Sequence, residues 1–473
     1  MARMQSIVNE LQTLLDGDGV LLGAEVSGRA AGIWDSTGIE ATAIVRPKST
    51  AQVATVLRAC NAARQPVTAH GGRTGLVDGQ ITRRGDIVLS LERMNRIEDI
   101  DSAGRTMTAQ AGVPLQVIQE AAANAGLYFP VDLGARGSCT IGGNVATNAG
   151  GNGVIRYGMT RDNILGLEAV LADGTVITSM NRMIKNNAGY DLKQLFIGSE
   201  GTLGVVTRVV LRLREAASSQ NTALLASNDF TKVISLLKFL DRELGGTLSA
   251  FEVMWRDFYN LVTTPPAKSK PPLEQVHAFY VLIEARGGEP DTDGERFQAV
   301  LQRALEQGLI DDVVLAKSQA ERAALWAIRD DVEQGHRYGR PFIFDVSLQI
   351  RDMPAYVDRV KGELDRTWPG NRCFVFGHLG DGNLHYNIVV GDFSEAAKHS
   401  VERIVYDPLR EINGSVSAEH GIGLQKKPYL ALCRSAEEIA LMRMLKQALD
   451  PNAILNPGKI FDLPQYGDGP GPR

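Results

Sequence analysis

Three of the chain's seven histidines, His378, His385 and His420, stand where their spacing could do chemistry. The segment Phe376-Gly377-His378-Leu379-Gly380-Asp381-Gly382-Asn383-Leu384-His385-Tyr386-Asn387 has Asp-Gly at its centre, the strongest short hairpin signal. With Asp381-Gly382 as the two central residues of a type I′ turn, His378 faces His385 directly across the strands. Residues so opposed hold their Cβ atoms about 5 Å apart, close enough for two imidazoles to share one metal ion. Asn387, two residues further on, points to the same face. Downstream, Ser417-Ala418-Glu419-His420-Gly421-Ile422-Gly423 sets an adjacent Glu-His pair among glycines, as in a tight loop. Two His and one Glu form the ligand set of an open zinc site, which leaves a position for water or substrate. The plain alternatives are a hydrogen-bonded histidine pair, a solvated Glu419 and a loop His420 without a chemical role.

A second chemistry is written in glycine. The chain has 49 glycines in 473 residues, and two clusters carry the excess. One is His70-Gly71-Gly72-Arg73-Thr74-Gly75. The other runs from Gly134 to Gly153, with seven glycines among Ser138, Thr140, Asn144, Thr147 and Asn148. The stretch reads as loop rather than core helix. It offers exposed backbone N–H groups and small polar side chains, the chemistry that cradles a pyrophosphate. Neither GxGxxG nor GxxxxGK[ST] occurs in the chain. A pair of ligand-free surface loops is the alternative, although a twenty-residue empty loop is unusual in a compact domain.

The elements that must position these residues follow from periodicity. Ile7, Val8, Leu11, Leu14 and Leu15 sit at helical spacing near the N-terminus. From 40 to about 215, short runs (Ala43–Val45, Ile87–Ser90, Met107–Ala109, Leu167–Leu171, Val205–Leu211) alternate with helical stretches at Thr50–Ala63 and Pro114–Ala125, which indicates an α/β or α+β domain. A second α+β region mixes helices at Phe230–Leu244, Asp293–Gly308 and Ser318–Arg337 with strands at Ala278–Glu284, Phe342–Ile350, Cys373–Phe376 and Leu384–Val390. A last helix spans Ala436–Leu449, and Gly467–Arg473 reads as a disordered tail. Apolar residues at 44% and charged residues at 22% are globular values. The net charge of −5 argues against a nucleic-acid binder. Four scattered cysteines without a CxxC pair, no signal-peptide pattern and no apolar span lead us to expect a soluble, cytoplasmic protein.

Ordered motifs in the first region resemble a known family. Val45-Arg46-Pro47, Gly71-Gly72-Arg73-Thr74-Gly75, Thr140-Ile141-Gly142-Gly143-Asn144, Gly198-Ser199-Glu200-Gly201-Thr202-Leu203-Gly204 and the closing Asn456-Pro457-Gly458-Lys459 are similar to the FAD domain of the vanillyl-alcohol-oxidase / p-cresol-methylhydroxylase flavoproteins. The resemblance implies an α+β fold, with a two-part FAD-binding domain, an α+β substrate (cap) domain, and a C-terminal helix returning to the FAD domain. The expected divisions are a helical segment at 1–39, the FAD-binding domain at 40–217, the cap domain at 218–425, and a returning segment at 426–473. The FAD contacts it implies are Pro47, His70, Gly71, Gly72, Arg73, Thr74, Gly75, Asp132, Thr140, Gly143, Asn144, Asn148, Gly150, Gly151, Glu200, Gly204, Val206 and Asn456. Some members attach FAD covalently through a histidine just after the first glycines. Arg73 stands there in this chain, which implies a non-covalent flavin.

The histidine constellation resembles one subgroup, the D-lactate and D-2-hydroxyglutarate dehydrogenases. That resemblance implies His378, His385 and Glu419 as ligands of a divalent metal, usually zinc. It implies His420 as the proton-abstracting base, Asn387 as a substrate contact and Arg329 as the partner of the substrate carboxylate. The reaction is oxidation of a D-2-hydroxy acid to the 2-oxo acid, with hydride passing to the flavin. Members acting on D-2-hydroxyglutarate carry a basic residue just before an aromatic-Asp pair. Here Phe342-Ile343-Phe344-Asp345 has none, which favours a D-lactate-like substrate over the dicarboxylate. A flavin oxidase or a non-redox flavin enzyme of the same family is the alternative. The expected partners are the small hydroxy acid and an electron acceptor such as a quinone, electron-transfer flavoprotein or cytochrome. Nucleic acid is not expected, and a homodimer is compatible.

Overall fold

A computed structural model describes residues 2–33 and 35–463. The tail at 467–473 lies outside the described residues. The chain forms two compact units: Met1–Gly150, Met159–Ala216 and Glu419–Arg473 make the first, Gly151–Gly158 and Ala217–Ala418 the second.

In the first unit, Ala43–Val45 and Val67–His70 both run parallel to Ile87–Ser90, and Val20–Leu21 pairs antiparallel at the edge. Parallel strands need a crossover, and the helix Thr50–Ala62 supplies it. Ser49 caps that helix by accepting the Gln52 N–H at 3.3 Å. Ala43, Ile44 and Val45 are all buried, as strands covered on both faces must be. A five-stranded antiparallel sheet follows, in the order Ile97–Asp101, Thr106–Gln110, Val205–Arg212, Ile164–Val170, Val176–Ser179. One apolar cluster, including Leu11, Leu57, Leu89, Ile118, Phe129, Val145 and Val209, underlies both sheets.

The second unit is built on a seven-stranded antiparallel sheet. Its order is Asp312–Leu315, Ser219–Ser227, Phe279–Gly287, Leu248–Trp255, Arg372–His378, Asn383–Val389, Phe342–Ser347. The helices Arg256–Thr263 and Gln319–Asp330 pack on one face through Phe258, Tyr259, Leu325 and Ile328, which meet Met254, Leu282 and Phe376. The helix expected over Ser318–Arg337 breaks after Asp330, and a 3-10 segment, Val332–Tyr338, follows. Asp331, at φ −79° and ψ 48°, ends the regular turns. Among the described residues no helix is long and apolar enough to cross a membrane.

Candidate active site

The hairpin that carries two of the histidines is real, but its register differs from the expected one. Phe376 pairs with His385 and Val375 with Tyr386, so His378 is not directly opposite His385. The two-residue turn is replaced by a longer loop, with a 3-10 turn at Leu379–Asp381 and only Gly382 in the left-handed region, at φ +83°. A type I′ turn would need positive φ at Asp381 as well. A two-residue shift preserves side-chain parity, so the histidines become diagonal neighbours on one face. Their ring centroids lie 5.2 Å apart, nearly perpendicular at 83°. Gly377 makes the close pairing workable, because a Cβ there would stand 2.3 Å from the Asn383 carbonyl.

Both histidines have carboxylates on the adjacent strands. Glu252 pairs in register with His378, and its Oε1 lies 2.7 Å from His378 Nδ1. Asp345 pairs with His385, its Oδ1 4.0 Å from His385 Nδ1. An ionised carboxylate only accepts hydrogen bonds, so Nδ1 of His378 carries the proton. Arg329, in the last turn of its helix, donates from Nε to Glu252 Oε2 at 2.8 Å and from Nη2 to His378 Nε2 at 3.2 Å. A guanidinium only donates, so Nε2 presents its lone pair, the atom a metal would use. All three groups are buried. Burial alone would raise the Glu252 carboxyl, but the interactions with His378 and Arg329 outweigh it and hold the carboxyl below its usual range.

Asn387 lies on the same strand face as His385, with Nδ2 donating to the Val332 carbonyl at 3.3 Å. Opposite Asn387 stands Ile343, which is 46% exposed. The segment leading to the Glu-His pair is tied to this sheet: Ser415 and Ser347 bridge, and the Ala418 N–H donates to Asp345 Oδ2 at 3.2 Å. The next peptide bond carries the chain into the first unit at Glu419. Sequence reasoning missed Glu252. Its one signal is a carboxylate in a strand that is otherwise apolar but for Ser249, Leu248–Trp255, whose eight residues are all buried.

All the expected FAD contacts except Gly151 lie in the first unit. The two glycine clusters pack against each other. A Cβ on Gly71 would come within 2.5 Å of Thr140 Oγ1, and one on Gly72 within 2.0 Å of the Ser138 carbonyl. Part of the second cluster, Ile141–Thr147, is a helix, contrary to the loop expected there. Thr140 caps it by accepting the Gly143 N–H at 3.4 Å, Asn148 ends it at φ +50°, and Gly142 fits where a Cβ would strike Ala111. The close approach of the two clusters leaves a cradle of small residues that a Cβ would fill, which suits the tight backbone approach a dinucleotide phosphate needs.

Other members of the set act on protein. Both Glu200 carboxylate oxygens accept backbone N–H groups, from Ile422 at 2.7 Å and Gly423 at 2.8 Å, which fixes the loop that follows His420. Asn456 accepts the Ala69 N–H at 2.9 Å and donates to the Glu200 carbonyl at 2.6 Å. Asp132 pairs with Arg136 at 3.2 Å. His70 is buried at the end of its strand and donates to the Gln80 carbonyl at 2.8 Å; burial lowers its pKa to about 4. Arg73, at φ +56°, donates to the Ala30 carbonyl at 2.9 Å.

Known proteins match this architecture along most of its length. A family model described as FAD linked oxidases, C-terminal domain, matches residues 216–460, and one described as FAD binding domain matches 41–179. A D-2-hydroxyglutarate dehydrogenase of Xanthomonas citri pv. viticola is 41% identical over 425 residues, covering 89% of this chain and 89% of that protein. One from Stutzerimonas stutzeri is 35% identical over 464 residues, covering 96% of this chain and 99% of its own. The crystal structure of p-cresol methylhydroxylase superposes with a TM-score of 0.76 at 16% identity, covering 98% of each chain, which shows the shared fold. The first family model spans just over half of the sequence and the relatives nearly all of it: this chain belongs to the FAD-linked oxidases.

Proposed function

We propose that the protein oxidises a D-2-hydroxy acid to the corresponding 2-oxo acid, using non-covalent FAD and a divalent metal held by His378, His385 and Glu419. The observation that supports this best is the convergence of His378, Arg329 and Glu252 beside His385 and Asn387 on one sheet face. Arg329 offers a planar fork suited to two-point recognition of a carboxylate. His420 takes the hydroxyl proton, the role for which an imidazole is suited at neutral pH. Asn387 contacts the bound acid. His378, His385 and Glu419 would hold a divalent metal, for which the His/His/Glu set suits zinc, and it would supply Lewis acidity toward the substrate hydroxyl. FAD, when bound, supplies the hydride acceptor.

For the substrate side chain we favour a small apolar group. Ile343, the exposed cross-strand partner of Asn387, gives no cation to a distal carboxylate. D-2-Hydroxyglutarate is the second reading, favoured by the names of the relatives.

Anaerobic titration with D- and L-lactate and D- and L-2-hydroxyglutarate decides between them. D-Lactate should bleach the flavin spectrum at the lowest concentration. Stronger bleaching by D-2-hydroxyglutarate would transfer the assignment to the dicarboxylate, and bleaching by neither D-acid would refute the reaction. In the same preparation, removing the metal with a chelator should stop bleaching while the yellow chromophore stays bound. Acid precipitation should then release the colour into the supernatant.

A further inference from the structure

We infer that Glu252 is a positioning residue shared by two parts of the site, orienting His378 for the metal and Arg329 for the substrate carboxylate. The inference rests on the proposed roles of those two residues and adds a third that ties them together.

Glu252 reaches the two groups with different oxygens, Oε1 to His378 Nδ1 at 2.7 Å and Oε2 to Arg329 Nε at 2.8 Å. The carboxylate sits 1% exposed on a central strand, so neither contact is exchanged for water. The Nδ1 contact fixes the tautomer that leaves Nε2 as the donor atom, and it makes that nitrogen more basic. Carboxylates that back metal-binding histidines act this way. The Nε contact fixes the guanidinium plane, already held over the Phe376 ring with Cζ 5.1 Å from its centroid. Turning either partner pulls on the other through one rigid carboxylate. Metal affinity and acid affinity are therefore set together.

A second buried carboxylate on the same sheet provides a control. Glu284 accepts from Trp326 Nε1 at 3.0 Å, three residues before Arg329 on the same helix, and its carboxylate otherwise accepts from Gln220, Thr222, Ser249 and Arg286. Both carboxylates dock the helix, but only Glu252 meets the groups that do chemistry.

The test uses full-length, FAD-loaded protein stripped of metal. Zn²⁺ affinity is measured by competition with a chromophoric chelator, and KM for the bleaching acid is measured at saturating Zn²⁺, so that it reads Arg329 and not metal occupancy. Glu252→Gln should weaken Zn²⁺ by about 10- to 100-fold, the usual loss for such a partner, and should raise KM severalfold. Glu284→Gln should lower the melting temperature while leaving Zn²⁺ affinity and KM near wild type. A change in only one of the two Glu252 readouts, or equal changes in Glu284→Gln, would overturn the shared role. If Glu252→Gln does not fold, Glu252→Asp keeps the charge but is too short to hold both partners, and the same two readouts apply. Wild-type protein gives an independent check: ¹⁵N NMR of labelled histidine should show His378 protonated on Nδ1, its signal identified by loss in His378→Ala. An Nε2-protonated ring would refute the inference. Undiminished Zn²⁺ affinity in His378→Ala would instead remove the metal reading itself, a result distinct from any Glu252 outcome.

Discussion

If His420 is the base and Arg329 the carboxylate clamp, steady-state kinetics separates them. Removing a general base typically costs 10²- to 10⁴-fold, so His420→Ala should lose mainly kcat while the acid still binds. Arg329→Ala should raise KM strongly and lower kcat as well, because a misplaced Cα reacts poorly. Arg329→Lys should recover little, since an ammonium reproduces neither the fork nor the contact with Glu252. Near-normal kcat in His420→Ala would send the proton elsewhere. Another histidine, His70, should contribute to acid stability. His70 has a folded pKa of about 4 against an ordinary 6.5. Above pH 6.5 it is neutral in both folded and unfolded chains and contributes no pH dependence. Between pH 6.5 and 4 only the unfolded chain takes up the proton, so stability falls by about 1.4 kcal/mol per pH unit. Melting curves across that window should flatten in His70→Gln, whose amide can still donate to the Gln80 carbonyl. An unchanged slope would show that other groups titrate instead.

At the scale of elements, the sequence announced more than local pattern could place. The helices Phe230–Leu244 and Ala436–Leu449 have the limits that periodicity indicates, because strong amphipathic spacing and caps (Asp229, Ser435) coincide. The Asp-Gly hairpin is present, yet its register is set by pairing with Leu248–Trp255 and Phe342–Ser347 as well as by its turn. That sheet order also explains why Glu252 was illegible: its partner His378 lies 126 positions away. The glycine clusters teach a related lesson. Gly72 and Gly134 look alike in sequence, but a Cβ on Gly72 would meet backbone at 2.0 Å while one on Gly134 meets nothing within 4 Å. Gly72→Ala should cost about 1–3 kcal/mol, the range for overpacking a tight contact, and should weaken FAD retention. Gly134→Ala should leave both near wild type. Melting temperature and bound-flavin absorbance measure the pair side by side.

At the scale of the molecule, the chain forms two compact units, and the points where it crosses between them are set by contacts. The short piece Gly151–Gly158 belongs to the second unit because Arg156 donates to the carbonyls of Thr247 and Arg286, a tie no periodicity reveals. The first unit is closed by the last part of the chain. The Val67 N–H donates to Ile454, the Asn456 N–H donates back to Val67, and Lys446 joins Thr202, Asp450 and Leu455 in a buried knot. Domains of a nascent chain generally fold from the N-terminus as they emerge. Here the second unit can complete itself on the ribosome while the first waits, its parallel sheet without the segment that fastens Val67. Flavin capture should then wait for the end of translation. A chain truncated before Ala436 should therefore retain little FAD, which the flavin absorbance that stays with the protein on gel filtration measures.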